Sequence, residues 1–198
     1  MNFARSIALI LLPLCSAWAA PHFGRPDVTC NLTDPTSGLI VVSSTAPTSG
    51  RAVDPTGIWF HFNQVGRSQF SNEKIYIAPE LVVQKVTSDF PGTFGRLYVL
   101  KLKAGDYEFR KWSFTQGLPG ERTNVKSPKP LPSVLPFKVT AGHITYLGSF
   151  SPEMADDHNL SVTLYDQSKR DIEVLGQKCP NVDVSKVDTE LLKLGKWE

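Results

Sequence analysis

Charge of one sign is what this sequence has least to spare. Its 21 Lys and Arg face 19 Asp and Glu, a formal net charge of +2. A chain so nearly balanced is not expected to bind nucleic acid through phosphate contacts. Histidine is scarce at 4, cysteine at 3 and methionine at 2. No stretch reaches the about 20 apolar residues that a membrane-spanning helix needs. The catalytic signatures G-x-S-x-G, H-E-x-x-H, G-x-x-x-x-G-K-[ST] and G-x-G-x-x-G are all missing. No catalytic residue, cofactor or metal ligand is nominated, and the chain is expected not to be an enzyme. What is plentiful is turn-forming residues: 14 Gly and 15 Pro in 198 positions. That content suits a loop-rich β protein better than a helical bundle.

The first residues read as an export signal. Met1-Asn2-Phe3-Ala4-Arg5 carries one positive charge, residues 6–14 are nearly all apolar, and Ala17-Trp18-Ala19 is an A-x-A cleavage site. Cleavage after Ala19 leaves 179 residues and lowers the net charge to +1. After cleavage no integral membrane protein is expected. Leu12-Pro13-Leu14-Cys15 offers an alternative, a lipobox whose cysteine anchors the protein to the outer membrane. The residue before such a cysteine should be small, and here it is Leu14.

Discarding Cys15 turns an odd cysteine count into a pair. Cys30 and Cys179 are expected to form a disulfide in the oxidising compartment that a signal implies. Closing a loop of that length contributes at most about 5 kcal/mol in the chain-entropy model.

The mature chain reads as strands. Residues 38–43, 58–65, 75–77, 81–86 and 160–165 are β-branched, aromatic or alternating runs. Residues 96–103 and 107–112 alternate about Ala104-Gly105-Asp106 and read as a hairpin; 137–140 and 144–148 repeat the pattern about Ala141-Gly142-His143. Between them, residues 115–136 hold five prolines and no periodicity, a long loop of the kind often tied to function. Residues 168–175 read as a short helix with Ser168 able to cap it and Asp171 three positions on. Residues 185–194 read as a second. The domain plan is therefore a signal over 1–19, an irregular segment over 20–37, a β-sandwich over 38–166 and a helical appendage over 167–198. The fold class is an antiparallel β-sandwich, transthyretin- or Ig-like, of about eight strands with one or two C-terminal helices.

The strings Leu102-Lys103-Ala104-Gly105-Asp106-Tyr107-Glu108-Phe109 and Phe137-Lys138-Val139-Thr140-Ala141-Gly142-His143-Ile144 resemble the Ala-Gly turns of bacterial exported β-sandwich domains. Many of those are lipoproteins with a transthyretin-like, or carboxypeptidase-regulatory-like, fold. Lys169-Arg170-Asp171-Ile172, followed by Cys179-Pro180-Asn181-Val182, is similar to their C-terminal ending. The resemblance covers residues 38–182, implies a fold and a bacterial envelope location, and transfers no catalytic residue. This chain has Cys179 where a tyrosine is usual, which fits a disulfide of its own.

Other candidates are weaker in chemistry. His61 lies in a strand and His143 in a turn. Met154-Ala155-Asp156-Asp157-His158 clusters two acids with an imidazole, too few ligands for a hard cation or zinc. Lys101, Lys103 and Arg110, with Trp112 beside them, form a candidate cationic binding face. Asn31-Leu32-Thr33 and Asn159-Leu160-Ser161 match the glycosylation pattern, which matters only in a eukaryotic secretory pathway. The leading expectation is an exported, periplasmic binding or structural module, monomeric, whose partner is an envelope protein or polymer. The alternative is a hydrolase acting on cell-wall or lipid material.

Overall fold

The computed structural model describes residues 28–46, 57–67, 73–77, 88–116, 124–126, 134–154, 160–193 and 195–197. The signal, the strand expected over 81–86 and the cluster around His158 lie outside them. The described elements are β1 (Ser37–Ala46), β2 (Gly57–Gln64), β3 (Glu73–Ile77), β4 (Phe94–Lys103), β5 (Gly105–Gln116), β6 (Asn124–Lys126), β7 (Leu135–Val139), β8 (Ile144–Met154), β9 (Leu160–Tyr165), α1 (Ser168–Lys178), β10 (Val187–Thr189) and β11 (Gly195–Trp197). Eight of these strands have five residues or more. The protein is mainly β, and the described residues hold one α-helix. Among the described residues no helix is long and apolar enough to cross a membrane.

The strands form two open sheets. One runs β11-β9-β8-β1-β4, with β10 also paired to β8; the other runs β3-β2-β5-β6, with β7 also paired to β5. At the centre of the first, β1 pairs antiparallel with β4 over ten residues and parallel with β8.

Alternation along the strands explains why the six-stranded sheet is covered twice. Ile40 and Val42 of β1, Tyr98, Leu100 and Leu102 of β4, and Leu147 and Phe150 of β8 join one apolar cluster. That cluster also takes in Phe60, Phe62, Phe109, Trp112, Leu135, Phe137 and Val139 of the five-stranded sheet. The odd-numbered neighbours Leu39, Val41, Leu97 and Val99 join a second cluster with Tyr146, Val174, Leu175 and Cys179. Successive side chains of a strand point to opposite faces, so one face meets the other sheet and the opposite face meets α1.

Neither expected hairpin forms. β4 and β5 belong to different sheets, and so do β7 and β8. Only Ala104 separates β4 from β5, and the tightest hairpins need about two loop residues. The chain therefore turns a corner from one sheet to the other. Gly105 and Gly142 adopt φ of +151° and +76° at the two corners, which side-chain-bearing residues rarely do. Alternation identified the strands, while their partners were decided by distant segments.

Three local expectations are also corrected. Residues 185–193 do not form the expected helix. A 3-10 turn over Val184–Lys186 leads into β10, which pairs parallel with β8. Leu191 and Leu192 then pack against different apolar clusters, as successive residues of an extended chain do. Ser168 does not cap α1: it is the first helical residue, and its backbone N–H donates to Asp166 Oδ1 at 2.9 Å. Residues 115–136 are not all loop, because β5 runs to Gln116 and β6 pairs with it antiparallel.

Cys30 and Cys179 are joined by a disulfide, with S–S 2.00 Å and Cα atoms 5.4 Å apart. It ties the N-terminal segment to the end of α1, outside the six-stranded sheet.

Candidate functional site

Among the described residues two places concentrate polar groups. The first lies under α1. Asp171 has no exposed surface, and a buried carboxylate must be bonded on its lone pairs or it is costly. Ser43 Oγ donates to its Oδ2 at 2.5 Å, and the Tyr146 hydroxyl donates to the same oxygen at 2.8 Å. Arg170 Nε donates to Oδ1 at 2.8 Å. The guanidinium also reaches Ser43 Oγ at 3.2 Å and lies 3.9 Å from the Phe90 ring centroid. Burial, then the neighbouring Asp171 carboxylate, pushes the Tyr146 hydroxyl well above the usual tyrosine range, so it remains a donor. Lys178 Nζ meets Asp89 Oδ1 at 2.7 Å at the other end of the helix. Ser43 is itself fully buried and has no approach for a substrate. This network holds α1 to the sheet. The Arg170-Asp171 pair was visible in the sequence as a motif; Ser43, Tyr146 and Phe90 were not, since they come from three other segments.

The second place is the end of the molecule where both corners meet the start of β1. Thr36 O accepts from Ala104 N at 2.8 Å, Ser37 O from Gly142 N at 2.9 Å, and His143 O from Leu39 N at 2.9 Å. β5 and β7 pair here, Gly105 opposite Val139. Beside the first corner is a cavity of about 320 Å³ lined by Ser37, Gln64, Arg67, Lys101, Leu102, Lys103 and Tyr107.

The expected binding face is redistributed. Lys101 and Lys103 lie on β4 and line this cavity. Arg110 lies on β5, in the other sheet, where its Nε pairs with Glu108 Oε1 at 2.8 Å. Trp112 is completely buried in the core between Phe60 and its neighbours, so it offers no surface for a ligand. The physical reason is a break in the strand's alternation. β2 and β5 slip register between His61 and Phe62, so that Phe62 faces Phe109 and His61 faces Lys111 across the ladder. Arg67 was missed by sequence reasoning. It follows a turn after β2, and nothing local says that this turn meets the end of β4.

The histidines separate. His61 is buried on β2 of the five-stranded sheet. His143 is exposed at the second corner, its Nδ1 2.8 Å from Asp188 Oδ2 on β10. That pair links the C-terminal segment to the corner. Asn31 Oδ1 accepts from the Thr33 backbone at 2.8 Å, so the first glycosylation-like triplet forms an Asx turn.

Comparison with protein-family models, with curated proteins and with solved structures found no match.

Proposed function

We propose that this chain is an exported protein of the bacterial cell envelope that works as a non-enzymatic binding module, folded as a transthyretin-like β-sandwich. The observation that carries the reading is the Cys30–Cys179 disulfide. Cross-links of this kind persist where thiols are oxidised, and a signal-like N-terminus leads to such a compartment. Two sheets sharing one apolar cluster support the sandwich. The binding role draws support from how the polar groups are used: the densest cluster, around Asp171, is bonded into the fold. The cavity at the Gly105 corner, by contrast, opens beside two lysines and an arginine.

The test is fractionation of a bacterial cell expressing the full chain with a C-terminal tag. The expected product is released with the periplasm, begins at Ala20 by mass spectrometry, and shows no reactive thiol when denatured without reductant. Retention in the cytoplasm with Cys30 and Cys179 both reactive would overturn the reading. A product beginning at a lipidated Cys15 would keep the module and anchor it.

A further inference from the structure

We propose that the cavity at the Gly105 corner binds a phosphate monoester, the dianionic group found on small sugar phosphates and on some lipid headgroups. This deepens the reading above and rests on it, because it names the ligand class of the binding module.

Charge is the first argument. Arg67, Lys101 and Lys103 line the cavity, and among the described residues no Asp or Glu does. Asp34 lies beside it, its Oδ2 accepting from the hydroxyl of the lining residue Ser37 at 2.7 Å, and Lys101 acts on that carboxylate. Arg67 and Lys103 are exposed cations of the lining, and a phosphate monoester dianion offers charge and acceptor oxygens to both. Cations of one sign gathered beside a concavity raise the local potential for an anion. Arginine adds a planar donor fork suited to phosphate oxygens, and lysine adds point charges.

Shape is the second argument. About 320 Å³ is near the lower end of the roughly 300–1,000 Å³ typical of small-molecule sites. That is room for a phosphate and one small attached group. Leu102 and Tyr107 supply an apolar wall, and Ser37 and Gln64 supply neutral polar groups.

Positioning is the third. The turn carrying Arg67 is pinned to the corner, because Val65 N donates to Asp106 O at 2.9 Å and Arg67 N donates to Gln64 O at 3.2 Å. Gln64 lies so close to Gly105 that a Cβ there would meet its Nε2 at 2.5 Å. The Tyr107 hydroxyl donates to Lys103 O at 3.0 Å, and Lys103 pairs with Ser37 across the β1–β4 ladder. The cations thus come from two sheets but are mounted on backbone tied together at one corner, which lowers the ordering cost of binding.

The experiment uses the full, disulfide-bonded protein. Glucose 1-phosphate is titrated calorimetrically, with glucose as the neutral control. Sedimentation with phosphatidylcholine vesicles, with and without phosphatidic acid, tests the lipid source of the same group. The expected result is saturable binding to glucose 1-phosphate, to the phosphatidic acid vesicles, or to both. The double variant Arg67→Gln/Lys103→Gln should weaken it by about tenfold or more, which corresponds to about 1.4 kcal/mol. Both residues are exposed, and circular dichroism checks that the variant is folded. Lys138→Gln, which removes an exposed lysine on β7, should leave binding unchanged. Binding confined to the vesicles identifies a headgroup; binding to the soluble ester identifies a free ligand. No binding to either probe, equal binding of glucose, or equal weakening by Lys138→Gln would overturn the proposal. An exported protein with paired thiols that binds neither probe keeps the module reading and loses this ligand, so the two failures are distinct.

Discussion

On its inner face the six-stranded sheet meets aromatic rings. On its outer face it meets a helix held by a disulfide, a buried carboxylate and short turns. Inside, Phe60 and Phe150 have ring centroids 4.5 Å apart, and Phe109 lies 5.1 Å from both Phe137 and Phe150. Such contacts are non-directional apart from ring tilt, and their strength scales with buried area. Outside, named atoms join α1 to the sheet through Asp171 with Ser43 and Tyr146, to the segment before β4 through Lys178 with Asp89, and to the N-terminal segment through Cys179 with Cys30. The inner face is long and continuous, so buried apolar area is its main support. One eleven-residue helix covers much less sheet, and directional and covalent links make up the difference.

The sharpest way to break this contrast is to remove volume inside. Phe109 has no exposed surface and touches Phe62, Phe137 and Phe150. Phe109→Ala should lower unfolding free energy by about 4 kcal/mol, measured by urea denaturation. Phe109→Leu, which keeps most of the bulk, should cost about 1.5 kcal/mol. Equal losses for the two would show that the inner face depends on ring geometry rather than volume.

The corresponding change outside keeps volume and alters chemistry. Asp171→Asn preserves shape but takes an acceptor from Arg170, Ser43 or Tyr146. Breaking a buried pair by altering one partner costs about 3 kcal/mol. Hydrogen exchange should show the loss concentrated in α1, with the aromatic strands still protected. An Asp171→Asn protein as stable as the parent would make the outer layer another apolar contact, and the comparison would fail.

How much of this was legible in the sequence follows the same division. Period-two alternation at 96–103 and 107–112 gave β4 and β5, because a buried strand face must be apolar at every second position. It could not say that the strands join different sheets, since pairing is decided by β1 and β2, dozens of residues upstream. The disulfide was legible from compartment and count. The Asp171 network was not, because a serine in β1 and a tyrosine in β8 carry no local mark of a shared partner. Trp112 was misplaced on the surface by ordinary strand counting, which a register slip of one residue at His61 defeats. Lys101 and Lys103 were legible as a pair on one strand, but the cavity they line was not. Arg67 joins that lining only through tertiary structure.

The smallest predicted effect separates the layers by pH. Among the described residues three carboxylates are held below their ordinary value of 3.8, and these lie in the outer layer or its approaches. Asp34 is lowered first by the Ser37 hydroxyl and then by Thr36; Asp166 by the Ser168 backbone; Asp183 by the Ser185 hydroxyl. Each closes a short turn onto a residue two or three positions on. A carboxylate with a depressed folded pKa stabilises the fold at pH above its unfolded value, and that stabilisation is lost as pH falls through the folded one. Acidification below about pH 3.8 should therefore loosen these turns while the rings, which do not titrate, stay packed. Amide exchange at Thr36 and Ser37 should rise on lowering the pH from 5 toward 2, relative to intrinsic rates, with strands β2 and β5 unaffected. Asp34→Asn should remove the pH dependence at Thr36 and Ser37 and leave that at Ser168 intact. All three carboxylates are almost fully solvated, so screening keeps each contribution small. If the aromatic strands open together with the turns, the two faces form a single cooperative unit under acid, and the division between them is one of chemistry but not of stability.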